Sequence, residues 1–457
     1  MDRAAPPSAV GIRWTQLAAS LGFGLVQLDV TVINVALPRL GTELGAGISG
    51  LQWIVDGYAL VLAVMLLIGG FLGDRFGARR VYLIGLAIFA LGSALCGSAP
   101  EVVTLVAARA LQGAGAAVML PCSLSLLNHA TQHDSALRIR AVGLWTACGS
   151  IGLAAGPLIG GLLLAVGSWR LIFFINLPIC LAAALFALRA PETPRENEGQ
   201  GLDPLGQLLA ILALGGLVGG VIEAHPLGFT HPVVLGLVAT AVVATPLFIR
   251  VEARSSAPLM PLGLFRSGTF TTAVLYGAVA NVTLYGMIFV LSLYFQRVRG
   301  YGGPSLGLAY LPLTATFVAV NLINPRMVRR FGVRACMVGG FLVDALGFAL
   351  LLVLSPDSSY WIAVPAFILM PAGMGTGIPA MIGAMLASVD RARSGVASAI
   401  TNASRQAGGA VGVALFGSLA GHDLVGGLHA GAVVSFVLLV AMAGVTWMFV
   451  PGRLGIR

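Results

Sequence analysis

Apolar residues fill this chain in long unbroken runs, divided by short polar stretches. The first runs from about Trp14 to Pro38. Others follow near 51–72, 81–99, 101–127, 141–166, 170–189, 205–223, 232–250, 268–296, 305–324, 334–354, 360–387, 394–419 and 428–450. Each is close to the roughly 20 residues a helix needs to cross a bilayer. The runs are continuous rather than alternating, which selects helices over barrel strands, and inside lipid only those two satisfy every backbone group. The pattern predicts an all-α polytopic membrane protein with about 14 transmembrane helices. The first run is too long for a signal peptide and no small-residue cleavage site follows it, so it is expected to be retained.

Composition sharpens this picture. Only 9% of the 457 residues are charged, and 58% are hydrophobic. A surface that poor in charge must face lipid over most of its area. Every basic residue is Arg. The absence of Lys excludes a P-loop, and with it ATP-driven pumping by this chain through that motif, as well as Schiff-base chemistry. The arginines stand singly between apolar runs, a topology signal rather than a nucleic-acid footprint. With a cytoplasmic N-terminus, 20 arginines fall on inside segments and 4 (Arg39, Arg170, Arg297, Arg299) on outside ones. That split predicts an inner-membrane, multi-pass protein with both termini cytoplasmic. The five cysteines lie in apolar runs with no metal-ligand spacing, and read as reduced core residues. No metal, cofactor or obligate protein partner is expected, and the partners implied are the lipid bilayer, protons and a small molecule.

An internal repeat organises the runs. Arg75-Phe76-Gly77-Ala78-Arg79 after the second span returns as Arg330-Phe331-Gly332-Val333-Arg334 after the tenth, 255 residues later. That separation is eight helices, two more than one six-helix half. The expected organisation is a six-helix bundle over 1–190, a linker with two extra transmembrane helices over 191–266, and a second six-helix bundle over 267–457. Parallel repeats of this kind place a transport site between the halves at mid-membrane.

Polar residues inside the spans carry the candidate chemistry. Asp29 lies deep in span one; burying its anion costs at least about 2.5–3.5 kcal/mol, a cost it escapes by taking a proton. The alternative is a structural carboxylate paired with Arg109. Arg109, two to three turns inside span four, cannot neutralise itself and needs water, a carboxylate or carbonyls. Asp56, about a turn past the outer boundary of span two, reads equally as a hydrated rim residue and as a substrate contact. Asn34, Tyr58 and Gln112 are further substrate-binding candidates. Asp74, followed by Arg75, Gly77, Arg79 and Arg80, suits a charge latch at the cytoplasmic face. In span five, Gly152, Gly156 and Gly160 allow close helix approach, and Pro157 removes a backbone bond. A hinge or packing role in gating fits Gly156 and Pro157 better than a ligand role.

These segments together resemble the major facilitator superfamily, and within it the fourteen-helix drug:proton antiporter branch. Leu28–Pro38 is similar to that branch's first-helix motif, and Gly70–Arg80 to the superfamily's motif A, with Ala78 where a basic residue is usual. Leu105–Ala117 resembles motif B, Gly152–Gly161 the motif C associated with antiporters, and Trp169–Pro178 another segment of the branch, with Cys180 in place of a usual Gly. The resemblance implies that Asp29 and Arg109 belong to the proton-coupling machinery. It also implies that Asp74 latches the outward-facing state near the start of span thirteen. The second-half copy carries Arg329 instead of Asp74, so the latch is one-sided.

By the repeat, spans nine and twelve line the cavity, which adds Asn281, Tyr285 and Met374 as substrate-contact candidates. Asn402 joins them from span thirteen, beside a second intramembrane cation, Arg405. Asp344, in peripheral span eleven, favours a structural role, and the sequence does not settle whether it meets Arg405. The reading is proton-coupled efflux of small amphipathic compounds by alternating access. The alternative is an exporter or facilitator of an endogenous metabolite. An intramembrane enzyme is disfavoured, because the chain has no HExxH and no histidine cluster.

Overall fold

The computed structural model describes residues 9–132, 134–193, 203–255, 258–390 and 393–452. Arg3, His133, Arg195, Arg391, Arg453 and Arg457 lie outside them. The described residues form helices and connecting turns, with no strand among them. In chain order the helices are α1 (Ala9–Glu43), α2 (Ile48–Phe76), α3 (Ala78–Ser98), α4 (Val102–Ala130), α5 (Ser135–Val166), α6 (Leu171–Phe174), α7 (Asn176–Leu188), α8 (Pro204–Leu227) and α9 (Pro232–Glu252). Then come α10 (Gly268–Leu293), α11 (Gly303–Ala309), α12 (Leu311–Phe331), α13 (Val333–Leu350), α14 (Val364–Ala387), α15 (Ser394–Leu419) and α16 (Leu424–Phe449). The expected sixth and tenth spans are each divided in two, α6/α7 and α11/α12, so the paired short helices serve as single passes. Thirteen of the described helices are long and apolar enough to cross a membrane. α15 is as long, but its run Thr401-Asn402-Ala403-Ser404-Arg405-Gln406 lowers its hydropathy. A helix walled by protein on most sides tolerates such a run.

The halves pack alike. α1 lies on α5, α2 and α3 on α4; correspondingly α10 lies on α15, α12 and α13 on α14. Small residues set these distances. A Cβ at Gly152 would strike the Gly24 carbonyl, and one at Gly156 would strike Thr31. In the second half Gly408 and Gly412 face the Ala278 and Val282 carbonyls in the same way. The 255-residue repeat extends into the helices: Gly85 and Gly92 seat α3 on α4, and Gly340 and Gly347 seat α13 on α14. Both repeat loops turn on a glycine with positive φ, Gly77 at 94° and Gly332 at 82°, a conformation that disfavours any Cβ. The halves meet through α2 on α15, α5 on α11 and α1 on α10.

α8 and α9 stand outside both bundles, as the repeat arithmetic predicts. α9 packs on α8, and α8 packs on α2 and α15. The two flanks of α8 differ in chemistry. Toward α2 it is hydrogen-bonded at both ends: Trp53 Nε1 donates to Glu223 Oε1 at 2.7 Å, and Gln207 Nε2 donates to the Val64 carbonyl at 2.6 Å. Toward α15 the contact is apolar, Val218 and Ile222 packing with Ala410 and Ala414 in a cluster that Leu60 of α2 joins.

Candidate functional site

Asp29 of α1 and Arg109 of α4 meet where both helices are buried; each is 1% exposed. Arg109 Nη1 lies 2.5 Å from Asp29 Oδ2. The pair is embedded in hydrogen bonds. Arg109 Nη1 also donates to Gln112 Oε1 at 2.8 Å and its Nε to the Ile54 carbonyl at 3.2 Å. Asp29 Oδ1 accepts from Gln112 Nε2 at 3.1 Å and Asn176 Nδ2 at 2.9 Å. Ser93 Oγ accepts from Gln112 Nε2 at 2.7 Å. The Arg109 guanidinium sits over the Tyr58 ring, 4.3 Å from its centroid. A buried ion pair is tolerable only when such bonds satisfy its remaining valences. Gly92 makes the approach possible, since a Cβ there would come within 2.7 Å of the Gln112 backbone nitrogen.

Arg109 of the pair lines a cavity between the halves. α1, α2 and α4 contribute Asn34, Asp56, Tyr58 and Arg109; α10 and α15 contribute Tyr285 and Gln406. Asp56 departs from the expectation of a hydrated rim residue: it is 0% exposed, and neither carboxylate oxygen has a hydrogen-bond partner among the described residues. The cause is α15, which covers this part of α2, with Gln52 Nε2 donating to the Val413 and Ala414 carbonyls at 3.2 and 2.7 Å. A second cavity lies between α1 and α5 on one side and α10, α12 and α14 on the other. Asn34 lines both.

Of the residues singled out in the sequence, Asn34, Asp56, Tyr58 and Tyr285 line the first cavity. Gln112 serves the ion pair instead and is 0% exposed. Asn281 bonds to the Gly277 carbonyl of its own helix at 2.9 Å, Met374 is buried, and Asn402 is exposed; none of these three lines either cavity. Gln406 was not singled out, although residues 402, 406, 409 and 413 share one helical face, and the last three line the first cavity. Ser93 joins the ion-pair network without any sequence signal beyond being polar inside a span; Asn176, which joins it too, lies in the Trp169–Pro178 segment, where no role was assigned to it. Arg405 and Asp344 do not pair. Among the described residues Arg405 Nε and both Asp344 oxygens lack hydrogen-bond partners, and the Arg405 stem packs on Gly277.

In the repeat loop, Arg79 turns to its own half. Its Nε lies 3.0 Å from Glu192 Oε2, and its Nη1 donates to the Ala190 carbonyl at 2.8 Å. Thr193 Oγ1 accepts from the Ala78 nitrogen at 2.6 Å. Gly77 leaves no room for a Cβ beside Glu192, and Arg75 rests over the Phe76 ring. Pro157 lies inside α5, where its carbonyl faces Gly307 of α11 across the seam between the halves.

Two repeated helical halves enclosing a polar, mid-length cavity constitute the architecture of a secondary membrane transporter. The chain belongs to the Major Facilitator Superfamily, whose sequence signature matches residues 19–413. It is 37% identical over 445 residues to the methylenomycin A resistance protein of Bacillus subtilis, covering 96% of this chain and 94% of that protein. It is 33% identical over 408 residues to the multidrug efflux pump LfrA of Mycolicibacterium smegmatis, covering 89% and 80%. Among solved structures, a peptide transporter in complex with sulfate superimposes with a TM-score of 0.72 at 17% identity, over 97% of this chain and 96% of that one. The inward-open xylose transporter of E. coli gives a TM-score of 0.69 at 18% identity, over 98% of each chain. At these identities the superpositions speak for the fold alone.

Proposed function

We propose that this protein exports small amphipathic compounds across the cell membrane in exchange for protons, by alternating access between its two bundles. The observation that carries the reading is the buried Asp29–Arg109 pair, whose arginine also forms the wall of a cavity shared by both halves. A change in Asp29's charge therefore reaches the cavity through one side chain. The resistance and efflux functions named for the relatives support export as the direction. The polar groups of the first cavity and the apolar walls of the second support an amphipathic cargo. Asn34, Asp56, Tyr58, Tyr285 and Gln406 are the proposed substrate contacts. The test is uphill transport in proteoliposomes: an imposed proton gradient should drive accumulation against the substrate gradient, and collapsing it with a protonophore should stop accumulation. Accumulation indifferent to the protonophore would refute coupling.

The arginine asymmetry supports a cytoplasmic location for both termini and for the Gly77 and Gly332 loops. In that orientation Ser292 Oγ donating to the Asn34 carbonyl at 2.5 Å, the Gln52 bonds and the Pro157–Gly307 seam all lie toward the outside. They fasten the halves on that side. Asp74 is proposed as the corresponding latch on the cytoplasmic side in the opposite state. Asp74→Asn should lower transport several-fold with normal membrane abundance, and maleimide labelling of cysteines placed in the cytoplasmic half of the cavity should rise. Unchanged labelling would remove the latch role.

The two flanks of α8 support its travelling with the first bundle, because a hydrogen-bonded face resists sliding more than an apolar one. A flexible bis-maleimide linking Trp53→Cys to Glu223→Cys should leave transport intact. The same reagent linking Ile222→Cys to Ala414→Cys should arrest it. Equal inhibition by both links would contradict this assignment.

A further inference from the structure

The outer end of α8 carries a contact between two imidazoles, neither of which lines either cavity. His225 stands a turn beyond Ile222, and His422 lies in the turn between α15 and α16. Their ring centroids are 4.3 Å apart, with the planes tilted by 49°. The approach depends on Gly421, where a Cβ would overlap the His225 ring. His225 Nε2 is buried there without a hydrogen-bond partner among the described residues, and His422 is exposed. With α8 assigned to the first bundle, this contact joins the two moving bodies, because the α15–α16 turn belongs to the second. In the orientation set by the arginines, both rings are on the outside.

Among the described residues, His422 is the titratable group that acts on His225. The other ionisable groups at this end are engaged elsewhere. Glu223, two residues back along α8, faces a different side and accepts from Trp53 Nε1 at 2.7 Å. His231 Nδ1, before α9, accepts from the Val233 nitrogen at 3.3 Å, and Asp423 Oδ1, before α16, accepts from the Val425 nitrogen at 3.0 Å. The charges of the packed helices α2 and α15, Asp56, Asp74, Arg75 and Arg405, lie further along those helices. One proton on the pair is tolerated, because the other imidazole stays neutral. A second proton sets two like charges in ring contact, and the pair resists it. Separating the rings removes that resistance, so the separated state takes up the second proton more readily. Lowering the external pH through the imidazole range therefore favours separation, and raising it restores the contact.

We propose that His225 and His422 form an acid-released catch on the outer face, which holds α8 against the second bundle at neutral pH and lets the outside open when both rings are protonated. The inference rests on the alternating-access reading and on α8 moving with the first bundle. It gives external protons a second point of action besides Asp29: they loosen the closed outer face at the same time as they become available to load the ion pair.

Spin-label distances across the outer face of the full-length protein in lipid nanodiscs test it. Gly47→Cys, in the α1–α2 turn, and Ser359→Cys, before α14, place one label on each half at exposed positions. The measurement is made in the Asp29→Asn background, so that titration of the ion pair does not contribute. Going from about pH 7.5 to about pH 5 spans the imidazole range and should raise the ratio of long to short distances at least about fivefold, the low end of a coupling between two sites. His422→Phe, which keeps a ring in the contact, should erase the response and stay closed at both pH values. His225→Gln should erase it independently. A response that persists in both histidine variants would overturn the proposal. So would a response seen with Asp29 present and lost in Asp29→Asn, which would leave alternating access standing. A distance that changes with pH in neither background would sink both readings.

Discussion

Asp29→Asn should reduce proton-driven export to the level of protein-free liposomes while the protein still reaches the membrane and folds. The carboxylate is 1% exposed and accepts from Arg109, Gln112 and Asn176. Asparagine keeps the shape and an acceptor oxygen, so Asn176 and Gln112 retain partners, while Arg109 loses its counter-charge and the fold some stability. What disappears is a group able to take up and release a proton. In the proposed cycle, protonation of Asp29 dissolves the charge pair and frees Arg109 at the cavity wall, and deprotonation restores it. Substrate and proton then bind in competition through one residue, the minimal coupling antiport requires. The variant is frozen near the protonated arrangement. Substrate exchange without a gradient should survive, whereas uphill accumulation should not. Full gradient-driven export by Asp29→Asn would move the coupling carboxylate elsewhere, with Asp56 the next candidate in the cavity.

Arg109→Ala should abolish export and destabilise the protein, as Asp29→Asn does by leaving Arg109 without its counter-charge, and it also empties the space the guanidinium fills. Removing one partner of a buried pair leaves the other uncompensated, at a cost of about 3–5 kcal/mol. Here that cost falls on Asp29, while Gln112 Oε1 and the Ile54 carbonyl lose a donor. The thermal midpoint in detergent should fall measurably. Arg109→Lys restores a charge but has no planar fork to serve Asp29, Gln112 and Ile54 together, nor the flat face that lies over Tyr58. It should recover stability in part and export poorly. The double variant Asp29→Asn/Arg109→Gln removes both charges and should be more stable than Arg109→Ala alone, yet equally inactive. If Arg109→Lys transports normally, the fork geometry is irrelevant and only the charge matters.

The helical passes, the inserted pair and the 255-residue repeat were legible in the chain because each follows from local pattern: run length, arginine placement and a recurring glycine turn. Asp29 and Arg109 were legible as charges in need of partners because a charge inside an apolar run is costly. Their pairing was one of the alternatives the residues left open. Packing made it one ion pair, by bringing α1, α3, α4 and α7 together at Gly92 and the small face of α4.

Other features were decided only in three dimensions. Asp56 lies near a helix end in sequence, yet it is buried because α15 of the other half closes over α2. Gln112 reads as a cavity residue and is drawn into the ion pair. Arg79 reads as part of a cytoplasmic charge latch and is tied to Glu192 of its own half. The two cavities and Asn34's place in both depend on how helices distant in sequence are offset and rotated about their axes. Hydropathy determines that a helix crosses the membrane and roughly where it starts and stops. It does not say which polar residues find each other, because that is set by the close glycine contacts through which the helices dock.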